Sequence, residues 1–111
     1  MGTRRVDLGL LASIPEGGAL GLAPQGGDDQ VIAVKRNGKL FLWLNDCPHN
    51  HRPLELKRHH FLSPDRSHIT CFAHAAHFQP ETGFCFSGPC YGQSLTPIQF
   101  EIISGKIWAE L

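Results

Sequence analysis

The sequence predicts an all-β fold, a small antiparallel β-sandwich or barrel, and three observations support that prediction. Two β-rich runs enclose Asn37-Gly38, a pair typical of tight hairpins because both turn residues must adopt positive φ, and two more runs enclose Ser104-Gly105. The chain contains 12 Gly and 8 Pro, so turns are frequent. No segment has a convincing 3.6-residue apolar period, although residues 52–60 can hold a helical turn.

Length and composition indicate one globular domain, spanning residues 1–111. A chain of 111 residues buries roughly two-thirds of the surface that its unfolded form exposes, which is enough for a core without disulfides. Apolar residues make up 41% and charged residues 18%, which excludes a disordered or fibrous protein. Ten Lys and Arg balance ten Asp and Glu, so bulk electrostatics would not hold a nucleic acid or a membrane surface.

The N-terminal sequence does not indicate a targeting segment. The short apolar run after Arg4-Arg5 is interrupted by Asp7, and no run approaches the roughly 20 apolar residues that cross a bilayer. We therefore expect a cytoplasmic protein without a membrane partner. Thiols are normally reduced in that compartment, so paired cysteines are expected to bind a metal rather than to form disulfides.

The predicted elements run from β structure through a ligand-rich region to β structure again. The first 45 residues are expected to be β structure, with a polar loop at 23–30. Residues 45–94 contain all four Cys and all seven His. A tight turn is expected at 80–83. The expected strands are 31–36, 39–44, 67–71, 77–79, 84–86, 98–103 and 106–111.

Two short motifs in the central region combine a thiol with an imidazole. They are Cys47-Pro48-His49 and Cys71-Phe72-Ala73-His74. Two loops of this kind can converge so that two sulfur and two nitrogen atoms point at one metal site. The same donors also suit a structural, tetrahedral Zn(II).

The pattern C-x-H…C-x-x-H resembles the Rieske iron–sulfur proteins, in which two Cys hold one iron of a [2Fe–2S] cluster and two His hold the other. The resemblance continues through Phe78, Thr82-Gly83 and Gly88-Pro89 and covers nearly the whole chain. It implies that residues 45–94 form a cluster-binding subdomain inserted between the hairpins. It also implies the ligand set: Cys47 and Cys71 on the buried iron, His49 and His74 on the exposed one.

Two features depart from the family pattern. The residue after the second His is usually Gly, and here it is Ala75. If that position needs positive φ, Ala costs about 1 kcal/mol. The segment 52–67 is also longer than is common, which predicts an extra excursion in the first loop.

The resemblance implies a one-electron carrier rather than an enzyme. Its family role is to pass electrons, as a monomer, from an NAD(P)H-dependent flavoprotein reductase to an oxygenase, as in ring-hydroxylating dioxygenase systems. Two alternatives remain open at this point. One is a Rieske-fold small subunit of a larger redox enzyme, similar to that of the NAD(P)H nitrite reductases. The other is a zinc-stabilised interaction module.

The resemblance also suggests a potential near the low end of the Rieske range. High-potential members place a Ser and a Tyr hydroxyl as donors to cluster sulfurs where this chain has Ala76 and Phe78, and they pair two loop cysteines in a disulfide where it has Arg52 and Ala73. Fewer donors stabilise the reduced cluster less. We therefore expect a potential of roughly −150 mV.

We also predict the surroundings of the remaining cysteines, histidines and tryptophans. Cys85 and Cys90 flank the Gly88-Pro89 turn and could form a disulfide or supply extra ligands, but we expect buried structural thiols. We expect His51 and His77 to lie at the rim of the cluster or on a partner-facing surface. We expect His59, His60 and His68 to be solvated. Trp43 and Trp108 are expected in the core. The excess of basic side chains in residues 52–68 is expected to be solvated surface, with a docking surface as the alternative.

Overall fold

The fold is known from a computed structural model that describes residues 5–24, 26–48, 53–55, 57–72 and 75–111. It confirms the all-β prediction, since the described residues form nine strands and one 3-10 turn, Leu11–Ser13, without an α-helix. The strands are β1 Arg5–Leu10, β2 Ala19–Leu22, β3 Val31–Arg36, β4 Lys39–Leu44, β5 Ile69–Cys71, β6 Ala76–Phe78, β7 Cys85–Ser87, β8 Phe100–Ile103 and β9 Lys106–Glu110. No helix in this part of the chain is long and apolar enough to cross a membrane.

The strands form three antiparallel sheets of three strands each, in the orders β1-β9-β8, β2-β3-β4 and β5-β6-β7. In the first sheet the N-terminal strand pairs with the C-terminal hairpin, with Arg5 opposite Glu110 and Leu10 opposite Lys106. Neither β1 nor β2 was predicted as a separate strand. β1 takes its partner from the far end of the chain, a pairing that local sequence does not encode, whereas β2 pairs with the next strand, β3, across the loop at 23–30.

Both predicted hairpin turns are confirmed. Asn37 and Gly38 have φ of 53° and 75° between β3 and β4, and Ser104 and Gly105 have φ of 51° and 78° between β8 and β9. Two successive residues with positive φ match the right-handed twist of the strands on either side. The turns therefore fix the register of both hairpins, which runs to the last pair before each turn.

The middle sheet lies between two apolar cores, because β3 is buried on both faces. Val31 and Ala33 belong to one core and Ile32 and Val34 to the other. Successive side chains of a strand point to opposite faces, so a strand between two cores is apolar without interruption. The core that contains Ile32 and Val34 also contains the cysteines.

The third sheet occupies the ligand-rich region, and its strands are displaced slightly from the predicted ranges. The strand predicted at 67–71 begins only at Ile69, and the other two are shifted by one residue. The predicted turn at 80–83 closes through a 2.7 Å hydrogen bond from the Gly83 N–H to the Gln79 carbonyl. Gly83 has a φ of 75°, and a Cβ there would lie 2.8 Å from the Trp43 ring. The turn therefore requires Gly for its conformation and for its packing.

The excursion in the first loop contributes to the core. Leu54 and Phe61 are completely buried beside the cysteines. The helical turn that residues 52–60 could hold is reduced, in the described part, to one hydrogen-bonded turn from the His60 N–H to the Lys57 carbonyl. Trp43 is buried as expected, whereas Trp108 is half-buried, with the Lys106 ammonium 5.7 Å from its ring centre.

Candidate metal centre

Two of the four predicted ligands lie together in the core. Cys47, three residues after β4, and Cys71, the last residue of β5, are both completely buried and belong to the same apolar cluster. His49 and His74 lie outside the described residues. The fold thus brings the sulfur halves of the two motifs, 24 positions apart in the chain, to one place.

The first loop is held by the side chain of Asn45. Its Oδ1 accepts the Leu54 N–H at 2.9 Å, and its Nδ2 donates to the Asp29 carbonyl at 3.0 Å and to the Glu55 carboxylate at 3.0 Å. Asn45 is buried, so water cannot replace these bonds at low cost. The side-chain amide of Asn45 therefore joins the segments that precede and follow Cys47.

The second loop is bonded directly to the first. The Phe72 N–H donates to the Leu54 carbonyl at 3.0 Å, and the Ala75 N–H donates to the Cys71 carbonyl at 2.8 Å. Ala75 has a φ of 57°, as expected if this position of the motif needs positive φ. A backbone hydrogen bond thus joins Cys71, the last residue of β5, to Ala75, the residue before β6.

The Gly88-Pro89 loop packs on the backbone of Ala75 and Ala76. A Cβ at Gly88, which has a φ of 102°, would lie 2.6 Å from the Ala76 Cα and 2.8 Å from the Ala75 carbonyl oxygen. Only Gly allows so close an approach of the two backbones. The three loops therefore form one packed unit around the buried cysteines.

Two further sulfur atoms lie in the same cluster. Cys85 and Cys90 are buried free thiols, as expected, and not a disulfide. The Cys90 Sγ lies 3.3 Å from the Cys85 Sγ, and the Cys85 thiol donates to the Ser87 carbonyl at 3.2 Å. Burial raises the pKa of Cys90 to about 12, with smaller contributions from Cys85 and from Cys47. Local sequence has no signal that these two thiols share a buried cluster with the motif cysteines.

Aromatic and imidazole rings lie together on and beside the third sheet. His68 meets His77 edge to face at 4.6 Å and Phe86 at 5.4 Å between ring centres, and Phe72 is partly exposed. The expectation that His68 is solvated was wrong, since it is half-buried, and that burial lowers its pKa, followed by the effect of His77. His77 is half-buried and its Nδ1 lies 3.3 Å from the Thr70 hydroxyl.

The other histidine expectations have mixed outcomes. His59 was expected to be solvated, but it is half-buried and its Nδ1 accepts the Gly21 N–H at 2.9 Å. A hydrogen bond across 38 residues of sequence cannot be read from local pattern. His60 is exposed, as expected, and His51 lies outside the described residues.

The described residues fit an iron–sulfur cluster on the sulfur side. Two fully buried thiols lie at the ends of loops that are bonded to each other, in a core otherwise made of apolar side chains. The donor chemistry of two thiols and two imidazoles matches a Rieske cluster and also a zinc ion.

Comparisons with known proteins distinguish between these possibilities. A family model, the Rieske [2Fe-2S] domain, matches residues 7–101. No curated protein matches the sequence.

Similar folds occur in solved structures of ferredoxins. The ferredoxin of carbazole 1,9a-dioxygenase from Nocardioides aromaticivorans IC177 has a TM-score of 0.70 at 18% identity, over 95% of each chain. A ferredoxin from Sphingomonas yanoikuyae B1 has a TM-score of 0.72 at 19% identity, over 97% of this chain and 99% of that one. A chain of the reduced complex between oxygenase and ferredoxin in carbazole 1,9a-dioxygenase has a TM-score of 0.70 at 23% identity, over 99% of this chain and 29% of that one. At these identities the likeness shows the fold.

Proposed function

We propose, from the premise that this chain belongs to the Rieske [2Fe-2S] domain family, that it is a one-electron carrier which passes electrons to an oxygenase. The match over residues 7–101, which includes both complete ligand motifs, is the observation on which the proposal depends. The extent of the structural likeness supports a carrier. This chain spans 95% of the Nocardioides ferredoxin but 29% of the chain from the oxygenase–ferredoxin complex.

We propose that the ligands are those that the motifs indicate. Cys47 and Cys71 would hold the inner iron, since both are completely buried. His49 and His74 would hold the outer iron and provide the exit for the electron. When bound, the cluster supplies reversible one-electron transfer at a single position.

The protein's own residues would keep that position in place while the charge changes. Asn45 holds Leu54 of the first loop, and the hydrogen bond between Phe72 and Leu54 joins that loop to the residue after Cys71. The apolar core excludes water from Cys47 and Cys71. A ligand set held in this way needs little rearrangement when an electron arrives or leaves.

An oxygenase is the proposed electron acceptor. The solved complex between oxygenase and ferredoxin supports this, because one of its chains shares the present fold. Phe72, which is 38% exposed, and His77 lie on either side of His74 in the sequence. A small, partly apolar surface beside the electron exit suits a transient redox contact.

The proposal has further parts. We propose that residues 1–111 form a single Rieske domain in which 45–94 is the cluster-binding subdomain. We also propose a monomeric protein of the cytoplasm that receives its electrons from a flavoprotein reductase and catalyses no reaction itself. The present chain spans 95% of the Nocardioides ferredoxin but only 29% of the chain from the oxygenase–ferredoxin complex, which supports the proposal that it catalyses no reaction itself.

Electron paramagnetic resonance of the dithionite-reduced protein tests the proposal. Mixed nitrogen and sulfur ligation is expected to give an average g value below that of an all-thiolate cluster, and His74→Ala is expected to abolish the signal. His60→Ala, at an exposed histidine outside both motifs, is the matched control and should keep it. A pure protein that contains zinc, or that binds no iron and sulfide after anaerobic reconstitution, would contradict the proposal.

A further inference from the structure

We propose that a cleft beside the first-loop excursion binds a small organic carboxylate with an apolar body. The cleft lies between residues 15–19, where β2 begins, and residues 59–66, and its volume of about 310 Å³ suits a small ligand. Its lining includes two side chains that donate hydrogen bonds, His59 and Arg66, and four that are apolar, Pro15, Ala19, Leu62 and Pro64. The cleft contains none of the predicted cluster ligands, so this site is independent of the proposed electron transfer.

His59 brings to the cleft a donor that is fixed by the fold. Its Nδ1 accepts the Gly21 N–H of β2 at 2.9 Å. A ring nitrogen that accepts a backbone N–H holds a lone pair, so the hydrogen of the neutral imidazole is on Nε2. No second hydrogen bond of this ring occurs among the described residues. The Nε2–H is therefore free to donate to a ligand.

Arg66 supplies the positive charge. Its backbone is fixed, because its N–H donates to the Ser63 carbonyl at 2.8 Å and its carbonyl accepts from the Arg36 guanidinium at 2.7 Å. In the part of the chain that the structure describes, no carboxylate pairs with the Arg66 guanidinium. A guanidinium is planar and binds a carboxylate through two parallel hydrogen bonds.

The acidic side chains next to the cleft are bonded elsewhere. The Asp65 carboxylate accepts the Ser63 and Ser67 hydroxyls at 2.7 and 2.8 Å, and the Glu16 carboxylate accepts the Gly38 N–H at 3.0 Å. The described residues that line the cleft include no Asp or Glu. The local charge therefore favours an anion over a cation.

The apolar part of the lining determines the body of the ligand. Ala19 and Leu62 pack against the core that contains the cysteines, and Pro15 and Pro64 add further apolar surface without a backbone N–H. An inorganic anion would leave these four side chains facing water, whereas a ring or a branched chain would cover them. A carboxylate on an apolar ring satisfies both parts of the cleft, and benzoate is the simplest probe.

The backbone conformation of Arg66 allows binding to be separated from stability. Arg66 has a φ of 61°, in the left-handed region that strains most side chains and that Asn tolerates better. Folding stability alone therefore does not explain an arginine at this position. Arg66→Asn removes the guanidinium and keeps the conformation, so the variant should unfold at or above the wild-type midpoint.

Nuclear magnetic resonance titration of the purified, ¹⁵N-labelled protein with benzoate tests the proposal, with the metal centre intact. The amide resonance of Gly21, whose N–H is bonded to His59, should shift and saturate with a dissociation constant on the order of 1 mM. Arg66→Asn should weaken binding by about tenfold or more. Lys57→Asn is the matched control, because it removes the same charge from an exposed position of the excursion outside the cleft, and it should bind as the wild type does.

Two further ligands test the two parts of the cleft on the wild-type protein alone. Benzyl alcohol keeps the apolar ring without the charge, and inorganic phosphate keeps the charge without the ring. Both should bind about tenfold more weakly than benzoate or less well still. The proposal would be overturned by the absence of a saturable shift with benzoate, by equal affinity for benzoate and either of these ligands, or by equal binding to wild type and Arg66→Asn.

Discussion

The positive φ of Ala75 allows a quantitative prediction. Ala75, the residue after the C-x-x-H motif, has a φ of 57°, in the left-handed region where an L-residue is strained by about 1–2 kcal/mol. Replacement by Gly relieves that strain, and the greater freedom of Gly in the unfolded chain offsets about 0.5–1 kcal/mol of the gain. Because Ala75 is exposed, the change removes no core packing. We expect Ala75→Gly to stabilise the protein by about 0.5–1 kcal/mol.

The expected change is large enough to measure by thermal unfolding. For a domain of about 100 residues, 1 kcal/mol corresponds to roughly 4 °C in the midpoint, so the variant should unfold about 2–4 °C above the wild type. Unfolding should be followed by circular dichroism on cluster-loaded protein in one redox state.

The control for this experiment is a second exposed alanine without positive φ. Ala12, in the 3-10 turn Leu11–Ser13, is exposed and is not among the residues with positive φ. Ala12→Gly has no strain to relieve and is expected to cost about 0.5–1 kcal/mol. If Ala75→Gly lowered the midpoint as Ala12→Gly does, the reasoning from backbone strain would be wrong.

Four further predictions concern the loops and the cluster. Asn45→Ala leaves the buried Leu54 N–H without its acceptor and should destabilise the protein by about 2–3 kcal/mol. Urea titration measures this change, and an unchanged unfolding midpoint would contradict it. Gly88→Ala forces a Cβ against Ala76 and should lower the stability of the fold by about 2 kcal/mol or more. The purified variant should also lose iron, and a full iron content would contradict the prediction. Hydrogen bonds from Ser63 and Ser67 lower the pKa of Asp65 from 3.8 to about 2, so its stabilising effect is complete above about pH 4 and is lost as the pH falls through 2. Asp65→Asn should accordingly be less stable than the wild type at pH 7, and the difference should shrink toward zero as the pH falls below about 2 in acid unfolding curves. The midpoint potential should lie near −150 mV by redox titration, and a value above zero would refute the inference from the missing hydroxyl donors.

The sequence predicted those parts of the fold that depend on local chemistry. The turn at Asn37-Gly38 was located to the residue because its two positive φ values restrict which residues can occupy it. β3 was recognised as a strand from its apolar run. The run did not show that the strand lies between two cores, because it is apolar on both faces. The pairing of β1 with β9 joins the two ends of the chain, and no local pattern specifies it.

The candidate site likewise contains features that the sequence predicted and features that it did not. The motifs identified Cys47 and Cys71, and the structure places both in one buried cluster. The role of Asn45 depends on a contact with Leu54 that only the folded chain creates. Spacing rules describe ligands, but the residues that hold ligands in place have no fixed spacing.

The described part of the long excursion of the first loop gives structural support to its neighbours. Arg58 forms two 3.1 Å hydrogen bonds with the carboxylate of Asp29, which lies outside the segment. The backbone carbonyl of Arg66 accepts a 2.7 Å hydrogen bond from Arg36, and the ring of His59 is bonded to β2. The excursion is thus fixed at three separated points, to β2, to β3 and to the loop between them, where the Asp29 carboxylate is buried. Since Asp29 also gives its carbonyl to Asn45, which closes the loop of Cys47, the same contacts that fix the excursion support the ligand loop.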